Sequence, residues 1–375
     1  MPCLRTKTKN VEAIEKRFTI IRTLVGVGIA LVIALALIAA VSDNPFEALM
    51  GFLTGPLTSV NRLGNVVEKA IPLLFTGTAV CIVFSCGQIS LCIEGVFYIT
   101  GIACAAVATQ SGIAAGLHPL LCILVAGVLG ALICAIPALM YIRFDTMTVV
   151  SSLMINFICL YIGKYLMHYV MRDPAAGFDA SAKYEKSARL FKLFSKTNIH
   201  FGLVIAVIVV VVGFYALYKS PWGYGVRMTG LSAGFAKFQG IGVAGMILTA
   251  SMAGGFLAGM GGAVEQLGMY KRFSYDGLSG HGWDGIMIAV IAQNNPKFVP
   301  LAALFVAYIS TGADVVNRTC DVPIEIINIV QAVIIMFVAA ERFLAGWKQR
   351  KIVQASQQAQ MEKLAGEQTE GAQKA

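Results

Sequence analysis

Few residues of this chain have the types and spacing that catalysis requires. The four histidines are scattered, and none has a second histidine four positions away, where one helix face would present both to a metal ion. The only Gly-Lys pair, Gly163-Lys164, lies inside an apolar run and does not complete the G-x-x-x-x-G-K-[ST] sequence of a phosphate-binding loop. These features disfavour an enzyme and predict no metal site. They also indicate that the chain does not itself hydrolyse ATP.

The residues best suited to chemistry are polar side chains in or beside apolar runs. Glu94, Asn156, Gln293 and Asn294 would be costly in a hydrocarbon environment unless they met water, a partner group or a ligand. We predict that Glu94 and Asn156 line a polar cavity that a solute crosses, with Gln293 and Asn294 reaching it from a broken helix. The alternative is hydrogen bonding between helices that serves packing alone, and for Asn156 both interpretations stay open.

A second candidate site is the polar, glycine-rich stretch 219–241. Pro221 and its neighbouring glycines predict that a helix is broken there, and Ser232 is a suitable N-cap for a short new helix. One apolar face of that helix would be shared by residues at i, i+4 and i+7, which are Leu231, Phe235 and Phe238. Lys237 points elsewhere. Such a helix either rests on a lipid surface or docks into a groove on a soluble partner, and these residues alone favour the lipid surface.

The composition is that of a membrane protein. Of the 375 residues, 57% are hydrophobic and only 13% are charged. Mean hydropathy is +0.75, far from the balance of soluble domains. Several apolar runs reach the roughly 20 residues that a helix needs to cross a bilayer, and the alternating pattern of a membrane barrel is absent. The predicted fold class is therefore an all-α polytopic membrane protein.

The net charge of +9 is explained by the ends of the chain without a nucleic-acid partner. Basic residues flank the outermost apolar runs, namely Lys7, Lys9, Lys16, Arg17 and Arg22 before the first, and Arg342, Lys348, Arg350 and Lys351 after the last. The positive-inside rule then places both termini in the cytoplasm, so the number of crossings should be even. We predict a cytoplasmic head over 1–19, a transmembrane domain over 20–342 and a polar cytoplasmic tail over 343–375.

About ten transmembrane helices are predicted, one of them short and broken. The long spans are expected at about 20–41, 66–86, 89–110, 117–141, 147–170, 201–218, 241–264, 298–316 and 324–341. An even number requires the short apolar piece 284–294 to be a further crossing, with Asp284 capping its start. The loop 171–200 is then extracytoplasmic and the stretch 219–241 is cytoplasmic. Several basic residues in 171–200 oppose this topology.

Four sequence patterns, taken in order, resemble the permease subunits of bacterial ABC importers for nucleosides and simple sugars. Those permeases belong to the larger group that includes ribose and branched-chain amino acid permeases. The patterns are 187–190 with 199–202, 225–241, 282–286 with 294–296, and 322–327 with 331. The resemblance covers about residues 66–342. Two departures from the usual family pattern, at 90–96 and at Met147-Thr148, leave the solute open.

The resemblance implies that this chain is one transmembrane half of an ATP-driven importer in the bacterial plasma membrane. The implied partners are a cytoplasmic ABC ATPase that holds ATP and Mg, a second homologous permease in a heterodimer, and an extracytoplasmic binding lipoprotein. No cofactor is implied for this chain. The resemblance also assigns the contact with the ATPase to residues of the 219–241 stretch, namely Arg227, Leu231, Ser232, Phe235, Lys237 and Phe238.

An alternative of a different class is a secondary transporter that an ion gradient drives. Broken helices at a binding site near the bilayer midplane are common in such proteins. A transporter of this class is expected to carry a line of acidic groups that moves protons or sodium ions. The apolar runs of this sequence contain no such line, which disfavours the alternative.

Overall fold

The structure is a computed structural model of the 375-residue chain. Contacts divide the chain into Met50–Arg318 and a second unit of Met1–Leu49 with Thr319–Ala375. The described residues are 32, 45–114, 116–174, 176–194, 197–319, 329 and 332. The predicted head and tail, and the first and last predicted spans apart from single positions, lie outside them. The total of ten crossings and the cytoplasmic termini therefore stay predictions.

The described residues form helices and no strand. The helices are α1 (Pro45–Thr54), α2 (Val60–Ser85), α3 (Ile93–Ala108), α4 (Leu117–Phe144), α5 (Thr148–Tyr165), α6 (Gly202–Lys219), α7 (Pro221–Leu231), α8 (Ala233–Phe238), α9 (Val243–Met269), α10 (His281–Ile291) and α11 (Val299–Thr319). Helix α5 continues as a π-turn over Leu166–Val170. The all-α prediction is confirmed for this part of the chain.

Within the described ranges, six helical segments are long and apolar enough to cross a membrane. They are Val60–Ser85, Leu117–Phe144, Thr148–Val170, Gly202–Lys219, Val243–Met269 and Pro296–Thr319. Helix α3 is apolar but has 16 residues, and α10 has 11, so both are shorter than a bilayer requires. Every predicted span within the described residues overlaps one of these helices, but the crossings predicted at 89–110 and 284–294 stay predictions, because α3 and α10 are too short.

Helix α2 lies at the centre of the bundle. In its most apolar window 89% of the residues are buried, against 33% for α6. Helix α9 packs against α2, α3 and α4, and α10 packs against α2. The apolar surface of α6 that remains exposed is suited to lipid, because lipid tails are as apolar as the side chains.

Close approach of α9 to α4 depends on glycine. A Cβ at Gly255 would lie 2.3 Å from the carbonyl oxygen of Gly130, and a Cβ at Gly259 would lie 2.3 Å from that of Ala126. Gly255 and Gly259 are four residues apart, so they share one helix face. The spacing predicts such close backbone contact, and the structure confirms it.

Several helix ends differ from the predicted ones because local capping outweighs polarity. Helix α2 begins at Val60 rather than near 66, since the Ser59 hydroxyl accepts a hydrogen bond from the Arg62 N–H at 3.2 Å. Helix α9 continues to Met269, beyond the predicted end at 264.

The helix is broken before Pro221, as predicted: α6 ends at Lys219, Ser220 has extended backbone, and Pro221 stands in the first turn of α7, where its missing N–H has no helical partner to lose. The neighbouring Gly223 and Gly225 do not contribute to the break, because they lie inside α7.

The segment 171–200 and the stretch 219–241 lie at opposite ends of the bundle. The Ser181 N–H donates to the Phe273 carbonyl at 3.0 Å, and the Glu185 N–H donates to the Ala108 carbonyl at 3.0 Å. At the other end, a Cβ at Gly230 would be 2.9 Å from the Gly87 nitrogen. This separation is what the predicted topology requires, and which end faces the cytoplasm stays a prediction.

Some of the basic charge in 171–200 is locally compensated. Asp179 lies 2.9 Å from His168 Nδ1 and 3.3 Å from Arg172 Nε. The hydrogen bond with His168 is the main cause that holds the pKa of Asp179 below its usual value, with a smaller contribution from the Arg172 charge. The positive-inside objection is unchanged by these pairs, because that rule counts Lys and Arg and not net charge.

His200 makes the packing of this segment sensitive to acid. The side chain is fully buried, its Nδ1 accepts the Gly202 N–H at 3.2 Å, and burial, with a contribution from the Lys192 charge, lowers its pKa to about 4. The unfolded chain binds the proton near pH 6.5, so this contribution to stability is complete above pH 6.5 and is lost as the pH falls towards 4. The loss is about 3 kcal/mol, at about 1.4 kcal/mol per pKa unit.

We expect the melting temperature of the purified protein to fall between pH 6.5 and 4.5, and to fall less in His200→Asn. The asparagine oxygen can replace Nδ1 as the acceptor but does not titrate. Thermal unfolding in detergent at several pH values measures the effect. Parallel pH profiles for the two proteins would contradict it.

Candidate functional site

Two short helices begin beside each other within the bundle, and Glu94 joins them. Glu94 lies in the first turn of α3 and its residue is 1% exposed. Its Oε1 accepts the Gly280 N–H at 2.6 Å, and its Oε2 accepts the Gly282 N–H at 2.5 Å, at the start of α10. A carboxylate is well placed there, because the first N–H groups of a helix lack helical partners and carry partial positive charge.

Asp284 does not cap the broken helix, and that prediction is wrong. Helix α10 begins at His281, so Asp284 lies inside its first turn instead of before it. The acceptor for the free N–H groups comes from Glu94 on α3. The approach of the two helices needs glycine, since a Cβ at Gly282 would lie 2.5 Å from the Glu94 Cα.

Asn156 lies next to the same region. Its residue on α5 is 1% exposed, and its Oδ1 is buried without a hydrogen-bond partner. A Cβ at Gly95 would lie 2.5 Å from that Oδ1, so Asn156 packs directly on the residue that follows Glu94. The structure therefore brings Glu94 and Asn156 together. Whether they contact a solute stays a prediction.

Gln293 and Asn294 lie at the other end of α10. Both have left-handed backbone, with φ of 52° and 55°, and the Asn294 N–H donates to the Ala289 carbonyl at 2.8 Å, so the two residues form the turn that ends the helix. Eleven helical residues rise about 16 Å. The four predicted pathway residues thus form two groups at the two ends of α10, and the structure does not gather them in one place.

A polar cluster that sequence analysis missed lies at the start of α10. Glu265 on α9 is fully buried, and its Oε1 is 3.2 Å from His281 Nε2 and accepts the Tyr275 hydroxyl at 2.9 Å. The Tyr275 and Tyr270 hydroxyl oxygens are 3.0 Å apart. The His281 ring stacks on Phe97 with centroids 5.2 Å apart. Burial, and then the nearby Glu265, raise the pKa of Tyr275, so its hydroxyl stays protonated.

The cluster escaped prediction for identifiable reasons. Glu265 was assigned to a loop because the helix was expected to end at 264, and His281 was judged by its neighbours four positions away. The apolar residues Leu267 and Met269 beyond Glu265 were the available signal, since they indicate that the helix continues to Met269 and includes Glu265.

The predicted coupling residues form an exposed surface at the end of the bundle near Gly87. Ser232 caps α8 by accepting the Phe235 N–H at 3.3 Å, as predicted. Phe238 is 94% exposed and Phe235 is 49% exposed. Leu231, 81% exposed, is the last residue of α7, so the prediction that one helix carries all three apolar residues is wrong. The surface spans two short helices.

The two basic residues in this stretch differ in environment. Arg227 on α7 lies over the Tyr218 ring, with its guanidinium carbon 4.7 Å from the centroid, and its Nε donates to the Gly223 carbonyl at 3.4 Å. Lys237 is exposed on α8. Arg227 therefore helps to hold α7 against α6, and Lys237 is free to meet a partner.

Comparison with known proteins identifies the family of this helical bundle. Residues 62–339 match the family described as branched-chain amino acid transport system / permease component, and the chain belongs to that family. It is accordingly a multi-pass permease of the plasma membrane.

The chain is similar to several ABC transporter permeases. The guanosine ABC transporter permease protein NupP of Bacillus subtilis is 28% identical over 306 residues, 79% of this chain and 87% of the relative. The glucose permease protein TsgB13 of Haloferax volcanii is 28% identical over 343 residues, 88% of each. The nucleoside permease protein NupB of Lactococcus lactis is 24% identical over 310 residues, 80% of this chain and 84% of the relative. No solved structure matches the chain.

Proposed function

We propose that this chain is one transmembrane half of an ATP-driven importer that moves a nucleoside or a related simple sugar. The observation that carries the proposal is the exposed apolar surface of Leu231, Phe235 and Phe238 on α7 and α8. A permease that lacks a phosphate-binding loop does not hydrolyse ATP itself, so an ATP-driven one needs a separate ATPase. An exposed helix face of this kind suits a groove on a cytoplasmic ATPase. The names of NupP, TsgB13 and NupB support the class of solute.

The remaining parts of the proposal follow from the family. A second homologous permease completes the pathway, and an extracytoplasmic binding lipoprotein delivers the solute to the end that carries 171–200. Both chain termini and the stretch 219–241 are then cytoplasmic. Movement of the ATPase reaches the bundle through α7, which is anchored by the Trp222 indole N–H that donates to the Thr249 hydroxyl at 2.9 Å on α9.

The proposal is tested by reconstituting the permease with its ATPase, second permease and lipoprotein in vesicles. We expect uptake of radiolabelled guanosine or another nucleoside, or of glucose, only when ATP and Mg are present on the ATPase side. Uptake by the permease alone under a proton or sodium gradient would favour the secondary transporter instead.

The Phe238→Asp variant tests the contact with the ATPase. Phe238 is 94% exposed, so a charge there should leave the bundle folded. Loss of an apolar anchor from an interface costs about 2 kcal/mol or more, and we expect the ATPase to separate during purification.

Phe238→Leu, which keeps the apolar side chain, and Gln239→Asp, which adds the same charge at the next residue, are the controls. Both should retain the ATPase. If Phe238→Asp also co-purifies with the ATPase at normal yield, the surface rests on lipid instead.

A further inference from the structure

Within the part of the chain that the structure describes, three buried polar atoms at the start of α10 have no hydrogen-bond partner. They are the Glu265 Oε2, the His281 Nδ1 and the Ser279 Oγ. Buried polar atoms in folded proteins almost always have partners, so such a group indicates a candidate site for a polar ligand. Glu265 is fully buried and already accepts the Tyr275 hydroxyl through its other oxygen.

The segment 270–280 covers these atoms. It supplies Tyr275 and Ser279, and it ends at Gly280, whose left-handed φ of 86° starts α10. Tyr270, Tyr275 and His281 are each partly exposed, so the cluster lies at the edge of the packed interior.

The charges around the cluster determine whether a charged or a neutral solute can bind there. Glu94, Glu265 and Asp284 are acidic, and His281 is their basic neighbour. Lys69 also acts on Asp284, but its ammonium group is paired with Asp314 at 2.5 Å. The Glu94 carboxylate, which two backbone N–H groups hold, would repel an anion brought into this region, since like charges interact strongly where water is scarce. A neutral solute would not be.

We propose that Glu265, His281 and Ser279 form the subsite that binds adjacent hydroxyl groups of a neutral solute, such as the ribose of a nucleoside. Two neighbouring hydroxyls offer two donors and two acceptors. The Glu265 Oε2 accepts one hydroxyl hydrogen, and the His281 Nδ1 and Ser279 Oγ pair with the other. The Tyr270 and Tyr275 rings, both partly exposed, provide apolar surface for the ring of the solute. This subsite rests on the proposed function, since it assigns the solute of the same pathway.

The test compares uptake of guanosine with uptake of 2′,3′-dideoxyguanosine, which lacks both hydroxyls, by the complete reconstituted complex. The lipoprotein has its own preference, but that preference is common to every permease variant. A change in the ratio of the two uptake rates therefore reports on the permease. We expect Glu265→Gln to reduce the ratio about fivefold to tenfold, the effect of one or two weakened hydrogen bonds. The ATPase rate and the melting temperature of the complex are measured in parallel.

Glu185→Gln makes the same substitution at an exposed residue of the outer segment, and the ratio should stay at its wild-type value. If Glu265→Gln does not assemble, Ser279→Ala is measured in its place, because it removes a hydroxyl that has no partner in the protein. A wild-type ratio in an assembled, ATP-hydrolysing variant would overturn the subsite. Absence of ATP-dependent nucleoside or sugar uptake by the wild-type complex would overturn the proposed function itself.

Discussion

Gly255→Ala is expected to destabilise the bundle by about 2 kcal/mol, although alanine favours helix. An added Cβ would lie 2.3 Å from the Gly130 carbonyl oxygen and 2.6 Å from the Cys134 Cβ. The first of these contacts is with backbone, so no side-chain rotation relieves it, and α9 and α4 must separate. Overpacking of this kind typically costs 1–3 kcal/mol. The melting temperature in detergent measures the loss.

Gly245→Ala is the matched control on the same helix. Gly245 is exposed, and nothing lies within 4 Å of the position that its Cβ would take. The gain in helix propensity, up to about 1 kcal/mol, should then leave stability unchanged or raised. Equal melting temperatures for the two variants would show that α9 and α4 do not depend on close contact at Gly255.

Glu94→Ala is expected to lower both stability and transport. It removes a carboxylate that accepts the N–H groups of Gly280 and Gly282 and leaves them without partners inside the bundle. Two hydrogen bonds to a charged group contribute about 3 kcal/mol together. We expect a lower melting temperature and a loss of ATP-dependent uptake in vesicles.

Glu94→Gln separates the structural role from contact with a solute. Its amide oxygen keeps one hydrogen bond, while its NH₂ group faces the second backbone N–H, so an intermediate melting temperature is expected. Glu185→Ala, at an exposed carboxylate, should melt normally. If Glu94→Ala melts at the wild-type temperature, the contact with α10 is not stabilising. If folded Glu94→Gln transports normally, Glu94 is not a pathway residue.

The long helices could be predicted from the sequence because about 20 apolar residues in a row have one stable arrangement in a bilayer. Helix α4 was expected at 117–141 and is found at Leu117–Phe144. The glycine pair on α9 could also be predicted, since residues four apart share a face. Both inferences used information contained within one helix.

The function of Glu94 could not be predicted in the same way. Its partners Gly280 and Gly282 follow it by 186 and 188 residues, and no local pattern indicates a carboxylate that caps a different helix. Glu265 was missed for a related reason. A charged residue such as Glu265 indicates the end of an apolar span when only polarity is considered. The Tyr275 hydroxyl and the His281 ring nevertheless stabilise its carboxyl group inside the helical bundle. Leu231 was placed on the wrong helix because it ends α7, while Ser232 is the N-cap of α8, which begins at Ala233.

The link between Glu94 and the start of α10 restricts how the bundle can move. Although α10 is short, it cannot tilt relative to α3 without breaking two charge-assisted hydrogen bonds to Glu94. That cost of about 3 kcal/mol is as large as a typical coupling free energy between distant sites in allosteric proteins. We therefore expect α3 and α10 to move together in a transport cycle, along with α2, against which α10 also packs.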